Sequence, residues 1–170
     1  MIVVLMGVSG SGKTTVGMLL AARLGCGFSD ADSFHPPENV EKMHAGIALN
    51  DDDRRPWLAA LRAAIEGWEQ QGVDHVLACS ALKQAYREVL SPAGDVTFVY
   101  LRGSADVIAP RLAARTGHYM NPALLDSQFA TLEEPRDAIV VDIDRTPDEI
   151  VDAIVAALGR PSPQASQAGT

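Results

Sequence analysis

GVSGSGKTT, residues 7–15, is the stretch whose reading decides the fold. Before it, Ile2–Met6 is an apolar run rich in β-branched residues and closed by Gly7, the pattern of a buried strand. After it, Val16, Leu19, Leu20 and Leu24 share one helix face, and Gly25 is placed to end that helix. Strand, glycine-rich loop, helix is the context in which GxxxxGK[ST] makes a phosphate cradle. Gly7-x4-Gly12-Lys13-Thr14 satisfies that pattern in full. Glycines let the loop turn successive N–H groups inward, and the helix start adds its positive end.

The expected nucleotide-binding set is therefore Gly7, Ser9, Gly10, Ser11, Gly12, Lys13, Thr14 and Thr15. Lys13 should reach the β- and γ-phosphates of ATP, and Thr14 should offer its hydroxyl to Mg²⁺. No carboxylate closes the strand that ends Ala78-Cys79-Ser80. Magnesium is accordingly expected on Thr14, phosphates and water, as in a compact metabolite kinase rather than a motor or a signalling GTPase.

Strand and helix patterns alternate along the rest of the chain. A short strand is expected near Phe28, and clearer ones at 75–79, 96–101 and 138–142. Trp57, Leu58, Leu61, Ile65 and Trp68 line one face of a helix, with Pro56 read in its first turn. Thr146-Pro147-Asp148-Glu149 predicts a capped helix whose stripe is Ile150, Val151, Ile154, Val155 and Leu158. This alternation predicts an α/β fold in three layers, a parallel sheet with helices on both faces. Ligands of such sheets bind beyond the carboxyl ends of the strands. Residues 1–160 read as one domain, and the polar tail 161–170 as too poor in apolar surface to order.

The net charge of −8 disfavours nucleic acid and anionic membranes as partners. The first 28 residues nevertheless carry Lys13 and Arg23 and no acid, which suits a polyanionic nucleotide. No apolar run is long enough to span a bilayer, and the start lacks the basic region of a signal peptide, so the cytoplasm is the expected location. Cys26 and Cys79 read as buried free thiols. The four histidines show no ligand spacing, so no structural metal is expected.

Asp30-Ala31-Asp32-Ser33-Phe34-His35-Pro36 follows the second strand and addresses the phosphate acceptor. A carboxylate at a strand end can take the proton of an acceptor hydroxyl as the new P–O bond forms. Asp32 is assigned that role; the competing reading is a capping carboxylate before the proline-led helix. His35 either orients the acceptor or caps the same turn.

GVSGSGKTT, DADSFHP, ENVEKMHAGIALNDDDRRPWL, CSALKQAYR, ARTGHYM and TLEEP, in this order, resemble the gluconate kinase family over residues 1 to about 158. The resemblance implies the P-loop kinase fold and transfer of the γ-phosphate of ATP to the 6-hydroxyl of D-gluconate. It implies a mobile lid at about 115–123, with His118 on the substrate. A homodimer is compatible with it. Gluconate needs a cation for its carboxylate, and Arg54, Lys83 and Arg87 are the candidates, the last two four apart on one helix face. Ser80 and Gln128 are candidates for its hydroxyls. Arg111 and Arg115, also four apart, are expected to offset charge on the transferring phosphoryl, and Arg111 to stack on the adenine as well.

The chain departs from the family pattern at Ala31, where glycine is usual, and at Thr116, often basic. Pro110 predicts a kink just before Arg111. Two other readings remain open from the sequence: another small-molecule kinase of the shikimate kinase kind, and a nucleotide-binding regulatory module without catalysis.

Overall fold

The computed structural model describes residues 1–114 and 125–160. Its five strands are β1 (Ile2–Met6), β2 (Gly27–Asp30), β3 (His75–Ala78), β4 (Val96–Arg102) and β5 (Ile139–Asp142). They form one sheet in the order β2-β3-β1-β4-β5. Every pairing is parallel. The helices are α1 (Lys13–Leu24), α2 (Pro37–His44), α3 (Asp51–Gln71), α4 (Gln84–Leu90), α5 (Ala105–Ala113), α6 (Leu125–Thr131) and α7 (Pro147–Ala157). No helix among the described residues is long and apolar enough to cross a membrane.

β1 is apolar throughout because it lies centrally and is buried on both faces. Its side chains alternate between two cores, as a strand's period of two requires. Val3 and Leu5 enter a core with α1, α5 and α7, through Leu20, Ile108 and Ile154. Ile2, Val4 and Met6 enter the other with α3 and α4, through Leu61, Ile65 and Leu90. The three-layer α/β architecture is as the sequence predicts. α7 carries the expected capping box, with Thr146 and Glu149 bonding each other's backbone.

α3 differs from expectation. It begins at Asp51, so Pro56 stands at its sixth position, not in its first turn. The cause is a second capping box. Asn50 Oδ1 accepts from Asp53 N at 2.8 Å, and Asp53 Oδ2 accepts from Asn50 N at 3.0 Å. Asp51, Asp52 and Asp53 also suit the helix's positive end. The added turn carries Arg54 to the rim where the strands end. α5 runs on through Pro110 to Ala113. Cys79 is buried, but Cys26 is only partly so, because it lies just beyond the glycine that ends α1.

All five strands point one way, so the loops after β1, β2 and β3 converge at one end of the sheet. β1 lies between β3 and β4, where the chain's order along the sheet reverses, and the phosphate loop is at that switch point.

Candidate active site

The phosphate loop joins β1 to α1 and is held from three sides. Gly7 N donates to Ser80 O at 3.2 Å, which ties the loop to the turn after β3. Ser9 N donates to Gln128 Oε1 at 2.6 Å, which ties it to α6. Beneath it lies α5. A Cβ built on Gly10 would stand 2.9 Å from Leu112 Cγ, and Gly10 has φ +82°, so only glycine lets the loop sit so close to that helix.

α1 starts at Lys13 with no side-chain cap and no acid in its first turn. Its N-terminal amides and positive end are thus left for an anion. Ser11 Oγ is buried and has no hydrogen-bond partner. Lys13 Nζ bends back over the loop, 3.0 Å from the carbonyl oxygens of Gly7 and Val8. This donor set fits a polyphosphate.

Thr14 Oγ1 donates to Asp30 Oδ2 at 2.7 Å. A hydroxyl beside a carboxylate is a hard-oxygen pair of the kind Mg²⁺ takes along with phosphates and water. Among the described residues no cluster of three or more acids, histidines or cysteines could cage a metal ion by itself. Asp30 was not singled out from the sequence for this place. No carboxylate follows β3, and the one nearest the loop hydroxyl comes from the end of β2, two strands from the loop. Sequence reading names Thr14, with phosphates and water, for Mg²⁺; the structure sets the Asp30 carboxylate beside that hydroxyl.

The acceptor side begins where β2 ends. A 3-10 turn, Ala31–Phe34, starts there because Asp30 Oδ1 accepts from Asp32 N at 3.0 Å. The capping carboxylate of this turn is thus Asp30, and Asp32 lines a cavity together with Lys13, Thr14, His35, Arg54, Ser80 and Gln128. Trp57 and Tyr86 add an aromatic wall.

His35 lies flat on Trp57, ring centroids 4.4 Å apart. Burial, aided by the Arg54 charge, pushes its pKa down to about 4. It is neutral near pH 7. Asn39 Nδ2 lies 3.2 Å from His35 Nδ1 and 2.7 Å from Asp53 O. An amide donating to both leaves the imidazole proton on Nε2. Neither Asn39 nor Trp57 was read from the sequence as part of the site. Trp57 is legible only as a core residue, since its indole N–H is spent on Ala31 O at 2.8 Å.

A family model described as shikimate kinase matches residues 9–159. A probable gluconokinase of Dictyostelium discoideum is 46% identical, over 91% of this chain and 84% of that protein. The thermoresistant gluconokinase of Escherichia coli K12 is 44% identical, over 92% and 93%. The crystal structure of a gluconokinase from Sinorhizobium meliloti 1021 superposes with a TM-score of 0.82 at 45% identity, over 92% of this chain and 90% of that one. The chain belongs to the gluconokinase family. The shikimate kinase model describes the P-loop kinase scaffold on which this family is built.

Of the three cations expected to meet the acceptor of a gluconokinase, the fold brings one to the cavity. Arg54 lines it. Lys83 precedes α4 and turns to Asp51, its Nζ 3.2 Å from Oδ1. Arg87 is a correction. It does not line the cavity, and it is 4% exposed with its guanidinium donating to the carbonyl oxygens of Ala81, Leu82 and Glu133 at 2.7, 3.1 and 2.9 Å. The spacing of 83 and 87 misled because Lys83 is the N-cap, not a residue of the helix. Arg87 pins the turn that carries Ser80, in which Ala81 takes φ +44°. Arg111, on α5, donates to Ile143 O at 3.2 Å, beside the segment after β5 and outside the acceptor cavity. Arg115, His118 and the expected lid lie outside the described residues, as does the tail.

Proposed function

We propose that the protein transfers the γ-phosphoryl group of ATP to the 6-hydroxyl of D-gluconate, giving 6-phospho-D-gluconate and ADP. One observation carries this reading. A complete phosphate loop with Lys13, the Asp32 carboxylate and, among the described residues, one acceptor-side guanidinium, Arg54, line one cavity in a chain of the gluconokinase family.

The phosphoryl transition state spreads negative charge over its oxygens, so catalysis is chiefly positioning and electrostatics. The loop amides and the start of α1 hold the polyphosphate, and Lys13 swings from the loop carbonyls onto its outer oxygens. Thr14 and Asp30 would hold Mg²⁺, which when bound offsets phosphate charge. Asp32 accepts the proton of the acceptor hydroxyl as the P–O bond forms. Arg54 pairs with the carboxylate at the other end of gluconate, which fixes the hydroxyl end toward Asp32. His35, neutral and donating from Nε2, and Ser80 bind intermediate hydroxyls. Gln128, already on Ser9 N, is placed to report acceptor binding to the loop. Arg111 is the candidate for stacking on the adenine.

The test is ADP release with gluconate, shikimate, glucose and AMP as acceptors. Gluconate should give the highest kcat/KM by far. A preference for shikimate or AMP would replace this reading, and ATP binding without acceptor-dependent ADP would make the chain a regulatory module.

A further inference from the structure

Tyr86 stands at the back of the acceptor cavity, 6% exposed, and no role in phosphoryl transfer falls to it. Its hydroxyl is the centre of a chain of contacts. Arg54 NH1 donates to Tyr86 Oη at 3.1 Å, and Tyr86 Oη donates to Asp51 Oδ1 at 2.5 Å. The guanidinium carbon of Arg54 lies 5.5 Å from the centre of the tyrosine ring. Asp51 comes within only 3.9 Å of Arg54 directly, so the phenol is the link between them. The other partner of Asp51 is Lys83.

We propose that Tyr86, anchored by Asp51, is the positioning residue that aims Arg54 at the carboxylate of the acceptor and so sets the preference for an aldonate over the corresponding aldose. The inference rests on the reaction assigned above. Three features of the cluster support it. A phenol can accept from a guanidinium and donate to a carboxylate at once, and this fixes the direction of both bonds. Burial and the bond to Asp51 hold the phenol in its protonated form, so it remains a donor. Asp51 occupies Lys83, which leaves Arg54 as the one acceptor-side cation among the described residues lining the cavity. One guanidinium held in one orientation suits one carboxylate at one end of a polyol.

The test compares wild type, Tyr86→Phe and Asp51→Asn in steady-state kinetics. Gluconate and ATP are varied in turn, and D-glucose serves as an acceptor with the same 6-hydroxyl and no carboxylate. Tyr86→Phe keeps the ring that packs in the core and removes only the hydroxyl. It should raise KM for gluconate about tenfold, the loss expected for one hydrogen bond to a charged group. The kcat, the KM for ATP and kcat/KM for glucose should stay near wild type, so discrimination between the two acceptors falls about tenfold. Asp51→Asn, at an exposed position, should move the same parameter in the same direction. Unchanged KM for gluconate in Tyr86→Phe overturns the relay while the reaction stands. Equal losses with gluconate, glucose and ATP also overturn it, because they mark a structural residue. A wild type that phosphorylates no aldonate sinks the assigned reaction, and the relay with it.

Discussion

The two walls of the active site are built in opposite ways. The nucleotide wall is nine consecutive residues, and apart from the Lys13 ammonium and the Thr14 hydroxyl its chemistry comes from main-chain N–H groups that any sequence able to make the turn would supply. The acceptor wall is gathered from the end of β2, the first turn of α3, the turn after β3, and α4 and α6, and its chemistry is all side chain. The contrast shows where a substitution acts. On the nucleotide wall, Lys13 and Thr14 aside, a change matters through the shape of the backbone, while on the acceptor wall it matters through a single functional group.

The strongest probe of that contrast is Asp32→Asn. Losing a general base costs about 10²–10⁴-fold in rate, and kcat should fall by that order while nucleotide affinity is nearly kept. Normal turnover would mean that the proton leaves by another route and that Asp32 merely shapes the turn. Arg54→Met should follow, with KM for gluconate raised about 10–100-fold and KM for ATP unchanged, the range expected for a lost charge-assisted bond. A drop in kcat at unchanged KM would place Arg54 on the phosphoryl group instead. On the other wall, Gly10→Ala should act through the fold. The new Cβ meets Leu112, and φ +82° is strained for alanine, so a stability loss of about 1–2 kcal/mol is expected in denaturant melts. Weaker ATP binding without any loss of stability would show that the loop, not its packing on α5, was disturbed.

What could be read in the sequence follows the same division. The loop, its strand and its helix are contiguous, so their period and spacing sufficed. The parallel three-layer arrangement followed from the alternation of strand and helix patterns, while the strand order was not read. Asp30 and Asp32 were both visible, but not which one turns to Thr14, because that depends on how β2 lies two strands from the phosphate loop. The start of α3 was misplaced because Pro56 is a strong local signal, and the Asn50–Asp53 box that outweighs it sits among acids that read as surface. Arg87 looked like Lys83 by spacing alone. A capping residue and a helical residue four apart do not share a helix face, and only the carbonyls of Ala81, Leu82 and Glu133 show where the guanidinium goes. Tyr86 and Trp57 gave no functional signal, since an aromatic at core spacing reads as core.

The last probe, one that separates the walls by pH, concerns His35. Its pKa is near 4 in the folded chain against 6.5 in the unfolded one, chiefly through burial against Trp57 and then through the Arg54 charge. Between those values the unfolded chain binds the extra proton and the folded chain does not, so stability rises with pH across this window. The contribution is complete above pH 6.5 and is lost as the pH falls toward 4. Protonation would also place a cation beside Arg54 and break the Nδ1 bond from Asn39, so acceptor binding should weaken over the same interval. ATP binding, which His35 does not touch, should not follow it. Thermal melts of wild type and His35→Gln at several pH values between 7 and 4 isolate this group from the carboxylates that titrate alongside it. The wild type should lose more stability than the variant across the window. Parallel curves would mean that the imidazole keeps its unfolded pKa in the folded chain and that burial does not hold it neutral, whereas a wild type that gained stability over the variant as the pH fell would mean that it is charged at neutral pH and meets the acceptor as a second cation.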